Sequence, residues 1–229
     1  MHRRVGRHAL ASSLRSRPDD DALRAHQAQR DCSAAPRRSA SPRRTPVDDR
    51  QGKWDGYRVA VHIAPSGVRI LTRGGHDWTH RFPAIAAEAA QLGAATAILD
   101  GEAVVLDDQG RSDFGKLQQS LGGRGGKLNS GASVVMAFDL LYFDGHDLTK
   151  TELSTRRHLL EGLIAPGRES AIRLSEDVDA DGEQLLRVAC EHGLEGIIAK
   201  DRNSPYRSGR LGDWLKIKCI QSDGFAIVG

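Results

Sequence analysis

Lys53-Trp54-Asp55-Gly56-Tyr57-Arg58 is the stretch around which the chain is organised. It sets a lysine, an acid two residues on, a glycine and then an arginine just ahead of a segment in which Val59, Val61 and Ile63 alternate with Ala60 and His62. That alternation predicts a half-buried strand. A lysine at its entrance can act as a nucleophile, and a glycine leaves the backbone room beside a ligand. Lys-x-Asp-Gly is also an ordinary surface turn, so the stretch alone does not choose between the two readings.

Working outward, Pro65-Ser66-Gly67 turns the chain and Val68-Arg69-Ile70-Leu71 returns it as a hairpin, with Arg73-Gly74-Gly75 in a loop at its end. Phe82, Ile85, Ala86, Ala89 and Leu92 have helical spacing, with Pro83 near the start and Gly93 as the stop. Residues 96–99 and 103–106 read as extended segments flanking Asp100-Gly101-Glu102. Residues 114–121, 154–164 and 182–192 read as helices, the second with Leu159, Leu160 and Leu163 on its buried side. Residues 134–143, 172–174, 196–200 and 214–218 read as strands. Gly122-Gly123-Arg124-Gly125-Gly126 and residues 201–213 read as loops. Helices and hairpin-linked strands are interspersed, which predicts an α+β fold of antiparallel sheets and not a doubly wound parallel one.

Hydrophobic residues make up 39% of the 229, enough for one buried core, and no apolar run is long enough to span a bilayer. The formal net charge is +3, but residues 1–47 hold eleven arginines against four aspartates and no lysine or glutamate. The remainder of the chain is therefore net acidic, and any nucleic-acid argument must rest on placed residues. Residues 1–47 are rich in Arg, Ser, Ala and Pro without apolar periodicity, so they are expected to be a disordered tail, a basic arm being one use for it. Asp19-Asp20-Asp21 argues against a transit peptide. Cys32, Cys190 and Cys219 lack metal-ligand pairing and read as small apolar or incidental residues of a protein in a reducing cytoplasm. The nine histidines show no zinc-type spacing.

Five further stretches follow the first in order: Thr72-Arg73-Gly74-Gly75, Leu99-Asp100-Gly101-Glu102, Phe138-Asp139-Leu140-Leu141-Tyr142, Glu195-Gly196-Ile197-Ile198-Ala199-Lys200 and Trp214-Leu215-Lys216-Ile217-Lys218. With the first, this series resembles the ATP-dependent DNA ligases among the covalent nucleotidyltransferases, and is most similar to the ligase module of bacterial end-joining ligases. The resemblance covers residues 51–229. It implies two packed antiparallel sheets flanked by helices with the nucleotide between them, an adenylation domain at 48–220, and the opening strand of a truncated oligonucleotide-binding barrel at 221–229.

The residues themselves fit that chemistry. An amine must be neutral to attack phosphorus, and burial and nearby cations both favour the neutral form. Lys216 and Lys218 alternate with Leu215 and Ile217, so both face one side of a strand, either into a site or into solvent. Glu102 and Glu195 are hard oxygen ligands beside glycines, and also what surface turns contain. Phe138 in an aliphatic strand suits either a core or a purine face. The resemblance implies that Lys53 is adenylylated, with Asp55 orienting or relaying for it. It implies Phe138 stacked on adenine, Glu102 on ribose or metal, and Glu195 on metal. It further implies Arg58 and Arg73 on ribose and DNA phosphate, and Lys200, Lys216 and Lys218 on the ATP phosphates.

The family carries an ordered strand and a glutamate that reads the adenine amino group just before the lysine; here Asp48-Asp49-Arg50-Gln51-Gly52 stands there, and Gln51 still offers an acceptor. The implied cosubstrate is ATP with Mg²⁺ or Mn²⁺, and the implied partners are nicked or broken double-stranded DNA and a Ku-type end-binding protein. A monomer in the bacterial cytoplasm, nucleoid-associated and without a membrane, is expected. Two alternatives accompany this expectation: a truncated, catalytically defective nucleotide-binding fragment, and an RNA ligase or mRNA-capping guanylyltransferase using the same lysine chemistry.

Overall fold

The computed structural model describes residues 48–123, 128–164, 169–178, 181–207 and 214–219. The expected tail at 1–47, the barrel strand at 221–229 and the tips of the loops near 125 and 210 lie outside them.

The first hairpin forms as its alternation dictates. β2 (Tyr57–Ala64) pairs antiparallel with β3 (Gly67–Thr72), burying Val59, Val61 and Ile70. A 3-10 turn (Thr79–Arg81) leads into α1 (Pro83–Ala89), with proline in the first turn, where its missing N–H costs nothing. β4 (Ala97–Val104) crosses beside β2, and α2 (Phe114–Ser120) follows, capped by the Asp113 carboxylate on the Lys116 amide. β5 (Val134–Phe143) is buried along almost its whole length and pairs with β4, with β6 (His146–Asp147) and, in parallel, with β7 (Ile172–Leu174). The order of this larger sheet is β3-β2-β4-β5-β6, with β7 also on β5.

α3 (Leu153–Leu163) lies over β5 and α4 (Gly182–Glu191) precedes β8 (Gly196–Asp201). β8 is the centre of a second sheet, β1-β8-β9, between β1 (Asp48–Gly52) and β9 (Trp214–Lys218). One core fills the helix side of the larger sheet, from Val59, Val61 and Ile70 to Phe82, Ile85, Leu117, Leu140 and Leu160. A second, smaller cluster joins the two sheets through Ala60, Ile98, Leu141, Tyr142, Tyr206 and Trp214.

Several expectations are corrected. Residues 48–52 form an ordered strand because β8 supplies a full antiparallel ladder, from Asp48 opposite Asp201 to Gly52 opposite Ile197. Asp100-Gly101-Glu102 is not a break between two extended segments. It lies inside β4, and the irregularity is confined to register shifts against β5 at Ile98/Leu99 and Asp100/Gly101. The β5–β7 pair makes the larger sheet mixed. The buried side of α3 holds Arg156 and Arg157 beside Leu153 and Leu160, while Leu159 and Leu163 are only half-buried. Arg156 is tolerated there because its guanidinium makes a two-pronged pair with the buried Asp139 at 2.8 and 2.9 Å and also donates to the Thr151 carbonyl. Cys190 and Cys219, read as separate thiols, are joined as a disulfide that ties the end of α4 to the end of β9.

Gly196 is where the second sheet closes. Its φ is +150°, and a Cβ there would stand 2.1 Å from the Ile217 carbonyl oxygen of β9. Gly196→Ala is expected to lower stability by about 1–3 kcal/mol in thermal or denaturant unfolding. Gly131→Ala, with open space around it, is expected to stay within about 0.5 kcal/mol of the parent.

Candidate active site

Lys53 follows β1 directly, and its backbone N–H donates to the Gly196 carbonyl at 2.9 Å. This bond fixes the lysine at the seam between the two sheets, at the wall of an open cleft of about 520 Å³ measured out to bulk solvent. Gln51, Gly52, Lys53 and Trp54 line it from β1 and the segment after it, Arg58 from β2 and Glu102 from β4. Phe138 lines it from β5, Ile198 from β8, Trp214 and Lys216 from β9, and Ser175 from the segment after β7. The alternation of β9 turns Trp214 and Lys216 inward together while Ile217 packs on α4.

The Lys53 amine is in contact with the Glu195 carboxylate, whose other oxygen takes Lys218 at 2.9 Å. Burial, first, and the neighbouring Lys216, second, hold the Lys53 amine below its ordinary value; Lys218 adds to this, while Glu102 and Asp55 oppose it. Lowering an amine's pKa raises its neutral fraction at a given pH, which nucleophilic attack requires. Contact with the Glu195 carboxylate itself favours the ammonium, so drawing Glu195 away would free the lysine further.

Glu102 lies in the cleft with its carboxyl raised to about 7, chiefly by burial and against the pull of Arg58. Arg58 makes a two-pronged pair with the fully buried Asp100, at 3.1 and 2.6 Å. Its guanidinium carbon stands 5.5 Å from the Phe138 ring and 5.6 Å from the Trp214 ring. Phe138 is 8% exposed and meets Trp214 edge-on at 5.9 Å. Trp54 donates its indole N–H to Ser175 at 3.0 Å.

Six of the residues singled out from sequence thus meet in the cleft wall: Gln51, Lys53, Arg58, Glu102, Phe138 and Lys216. Glu195 and Lys218 join it through the Lys53 ion pair. Asp55 is exposed, outside the lining, and reaches Lys53 only through its charge. Arg73 is half-buried at the end of β3, also outside the lining, with its amide on the Arg58 carbonyl at 3.3 Å. Lys200 departs furthest from expectation. It is 1% exposed, 4.7 Å from the Phe138 ring and 4.2 Å from the Trp214 ring, and donates to the Gln51 side-chain oxygen at 2.9 Å. Trp54, Trp214 and Ser175 were not singled out as site residues. Trp214 shares the parity of Lys216 and Lys218 and was legible for that reason; Ser175 carries no local signal.

Among the described residues no three His, Cys, Asp or Glu side chains converge on one point. A cation here would take one or two carboxylates and complete its shell with water and phosphate oxygens, the habit of Mg²⁺. Glu102 and Glu195, both set against Lys53, fit that description.

A family model described as the ATP-dependent DNA ligase domain matches residues 48–218. The chain belongs to this family. It is 44% identical over 178 residues to the multifunctional non-homologous end joining protein LigD of Pseudomonas aeruginosa, covering 77% of this chain and 21% of that protein. It is 38% identical over 171 residues to a probable DNA ligase of Kineococcus radiotolerans, covering 74% and 33%. The chain therefore spans about a fifth to a third of the length of these relatives. Among solved structures, mycobacterial DNA ligase D complexed with ATP and MES superposes with a TM-score of 0.65 at 36% identity, over 80% of this chain and 58% of that one. The Chlorella virus DNA ligase-adenylate, at 16% identity and a TM-score of 0.58, shares the fold over 80% of this chain and 66% of its own. The two antiparallel-built sheets with helices outside are the ligase-domain fold that the sequence resemblance implied.

The raised Glu102 carboxyl has a consequence for stability. Its folded value lies above its unfolded value of 4.5, so the folded state favours the protonated acid. The stability this gives is present at low pH and is lost as pH rises through about 7. Glu102→Gln is expected to be more stable than the parent by about 1–3 kcal/mol at alkaline pH, with the difference vanishing under acid conditions. Chemical denaturation across the pH range checks it.

Proposed function

We propose that this chain carries the adenylate-transfer chemistry of an ATP-dependent DNA ligase, acting on nicked or broken double-stranded DNA in end joining and repair. The observation that carries this reading is Lys53 on the wall of the cleft, its amine depressed by burial and Lys216 and held by Glu195. The ATP bound to mycobacterial ligase D supports ATP as the nucleotide. In the first step the Lys53 nitrogen attacks the α-phosphorus of ATP; a P–N bond forms, the bond to pyrophosphate breaks, and the amine proton is lost to solvent. A DNA 5′-phosphate oxygen then displaces the lysine and takes the AMP. The 3′-hydroxyl attacks that phosphate, AMP leaves, and the nick is sealed.

The remaining residues serve these steps by position and charge. Lys216 and Lys218 neutralise phosphate oxygens while lowering the Lys53 pKa. Phe138 offers a ring face or edge to adenine, and Gln51 its amide to the base edge. Glu102 takes ribose or metal. Glu195 would hold the metal, and a carboxylate so engaged would favour the Lys53 ammonium less. Arg58 supports the sugar side through its pair with Asp100, Asp55 tunes Lys53 from outside the cleft, and Arg73 meets DNA phosphate. Mg²⁺ or Mn²⁺, when bound by Glu102 and Glu195, supplies charge neutralisation on the phosphates. We further propose that the ligase domain spans residues 48–220, that it acts as a monomer in the cytoplasm near the nucleoid, and that a Ku-type end-binding protein brings it to DNA ends. No described helix is long and apolar enough to cross a membrane.

Incubation with Mg²⁺ and ATP labelled at the α-phosphate is expected to leave acid-labile, base-resistant label on the protein, and γ-labelled ATP none. Lys53→Arg is expected to abolish it, because a guanidinium stays protonated. Lys216→Ala is expected to slow labelling roughly 100-fold. Undiminished labelling of Lys53→Arg contradicts the reading.

A further inference from the structure

The least explained group in the molecule is the buried Lys200 ammonium. Its neighbours are the rings of Phe138 and Trp214, the Phe138 carbonyl at 3.4 Å and the Gln51 side-chain oxygen at 2.9 Å. Two aromatic faces and two oxygens offset part of its desolvation, yet no step of the chemistry above uses it. The other end of the same amide is also taken. Gln51 Nε2 donates to Asp177 Oδ1, and Asp177 Oδ2 accepts from Arg157 Nε at 3.2 Å. Gln51 itself is 3% exposed and lines the cleft.

An amide between these partners has one orientation. An ammonium only donates, so it selects the carbonyl oxygen; an ionised carboxylate only accepts, so it selects the NH₂. Turning the amide by half a revolution would set NH₂ against ammonium and oxygen against carboxylate, breaking both bonds at a buried site. Each end keeps one valence for a ligand: one lone pair on the oxygen and one hydrogen on the nitrogen. A fixed donor–acceptor pair distinguishes purines. Adenine presents an amino donor beside a ring-nitrogen acceptor, and on its major-groove edge it is the base that glutamine reads with both atoms. Guanine presents two acceptors on that edge. On its other edge donor and acceptor are exchanged relative to adenine, so it matches only the turned amide.

We propose that Lys200 and Asp177 are positioning residues that fix the orientation of the Gln51 amide and thereby make the cleft choose adenine over guanine nucleotides. This rests on the nucleotide-binding reading given above. Neither Asp177 nor Lys200 has a place in that reading; here Lys200 belongs to the base pocket and not to the phosphates.

The test is the ratio of ATP to GTP affinity, measured by equilibrium dialysis on the full chain with Lys200→Met, Asp177→Asn, these two combined, Gln51→Met and the Gln51→Met/Asp177→Asn double variant. Lys200→Met keeps the length and bulk of the stem; Asp177→Asn, at a partly exposed position, keeps the shape. The parent is expected to favour ATP by on the order of tenfold or more; Lys200→Met or Asp177→Asn alone is expected to lower the ratio only part-way, because the remaining partner still selects the same end of the amide, and the Lys200→Met/Asp177→Asn double variant to bring it to within about threefold, largely by gaining GTP. In the Gln51→Met background, Asp177→Asn is expected to leave the ratio where Gln51→Met alone put it. An unchanged ratio in the Lys200→Met/Asp177→Asn double variant overturns the proposal. So does a fall with Asp177→Asn of the same size whether or not the amide is present. A parent that binds ATP and GTP alike overturns this proposal alone, whereas a parent that binds neither removes the nucleotide reading beneath it.

Discussion

The character of the cleft depends on holding one lysine amine partly out of water beside other cations. Lys53 is held at the seam of two sheets by its backbone bond to Gly196, and that bond forms because Gly196 lets β8 and β9 close without a Cβ in the way. The closed pair then brings Lys216 and Lys218 toward the same amine from β9, and Glu195 from the turn into β8. Burial and the two lysines push the amine toward its neutral form, and the surrounding carboxylates push it back. An amine poised this way is a product of sheet geometry, since Glu102, Glu195, Lys216 and Lys218 stand about 50 to 165 residues away along the chain.

The first hairpin, β5 and β9 were legible because each is a local pattern: strict alternation, a long apolar run, and lysines alternating with aliphatics. What was not legible is what depends on a distant partner. β1 carries two aspartates, an arginine and a glutamine, a poor strand on its own, and is ordered by the ladder that β8 offers. Asp100-Gly101-Glu102 reads as a turn by composition, yet tertiary pairing on both sides keeps it in β4, with Gly101 letting β5 approach closely. Arg156 and Arg157 defeat a helix reading based on leucines because Asp139 and Asp177 wait for them elsewhere in the fold.

The site followed the same division. Residues with distinctive chemistry at short range, Lys53, Phe138, Glu102 and Lys216, line one cleft. Lys200, expected at the ATP phosphates, lies against the rings of Phe138 and Trp214, contacts that come from other strands and that its own stretch does not signal. Ser175 and Asp177, on an irregular segment after β7, have no sequence signal. Net charge was uninformative, because the basic excess belongs to residues 1–47 while the cleft is made cationic by a few placed lysines in an acidic remainder.

The measurement closest to the central claim is a direct titration of the Lys53 amine by heteronuclear NMR on lysine-labelled protein, with the resonance assigned by its loss in Lys53→Arg. The expected midpoint lies below the ordinary 10.5 and rises toward it in Lys216→Ala, because one of the cations depressing it has gone. A midpoint at or above 10.5, or one that Lys216→Ala leaves in place, would contradict it.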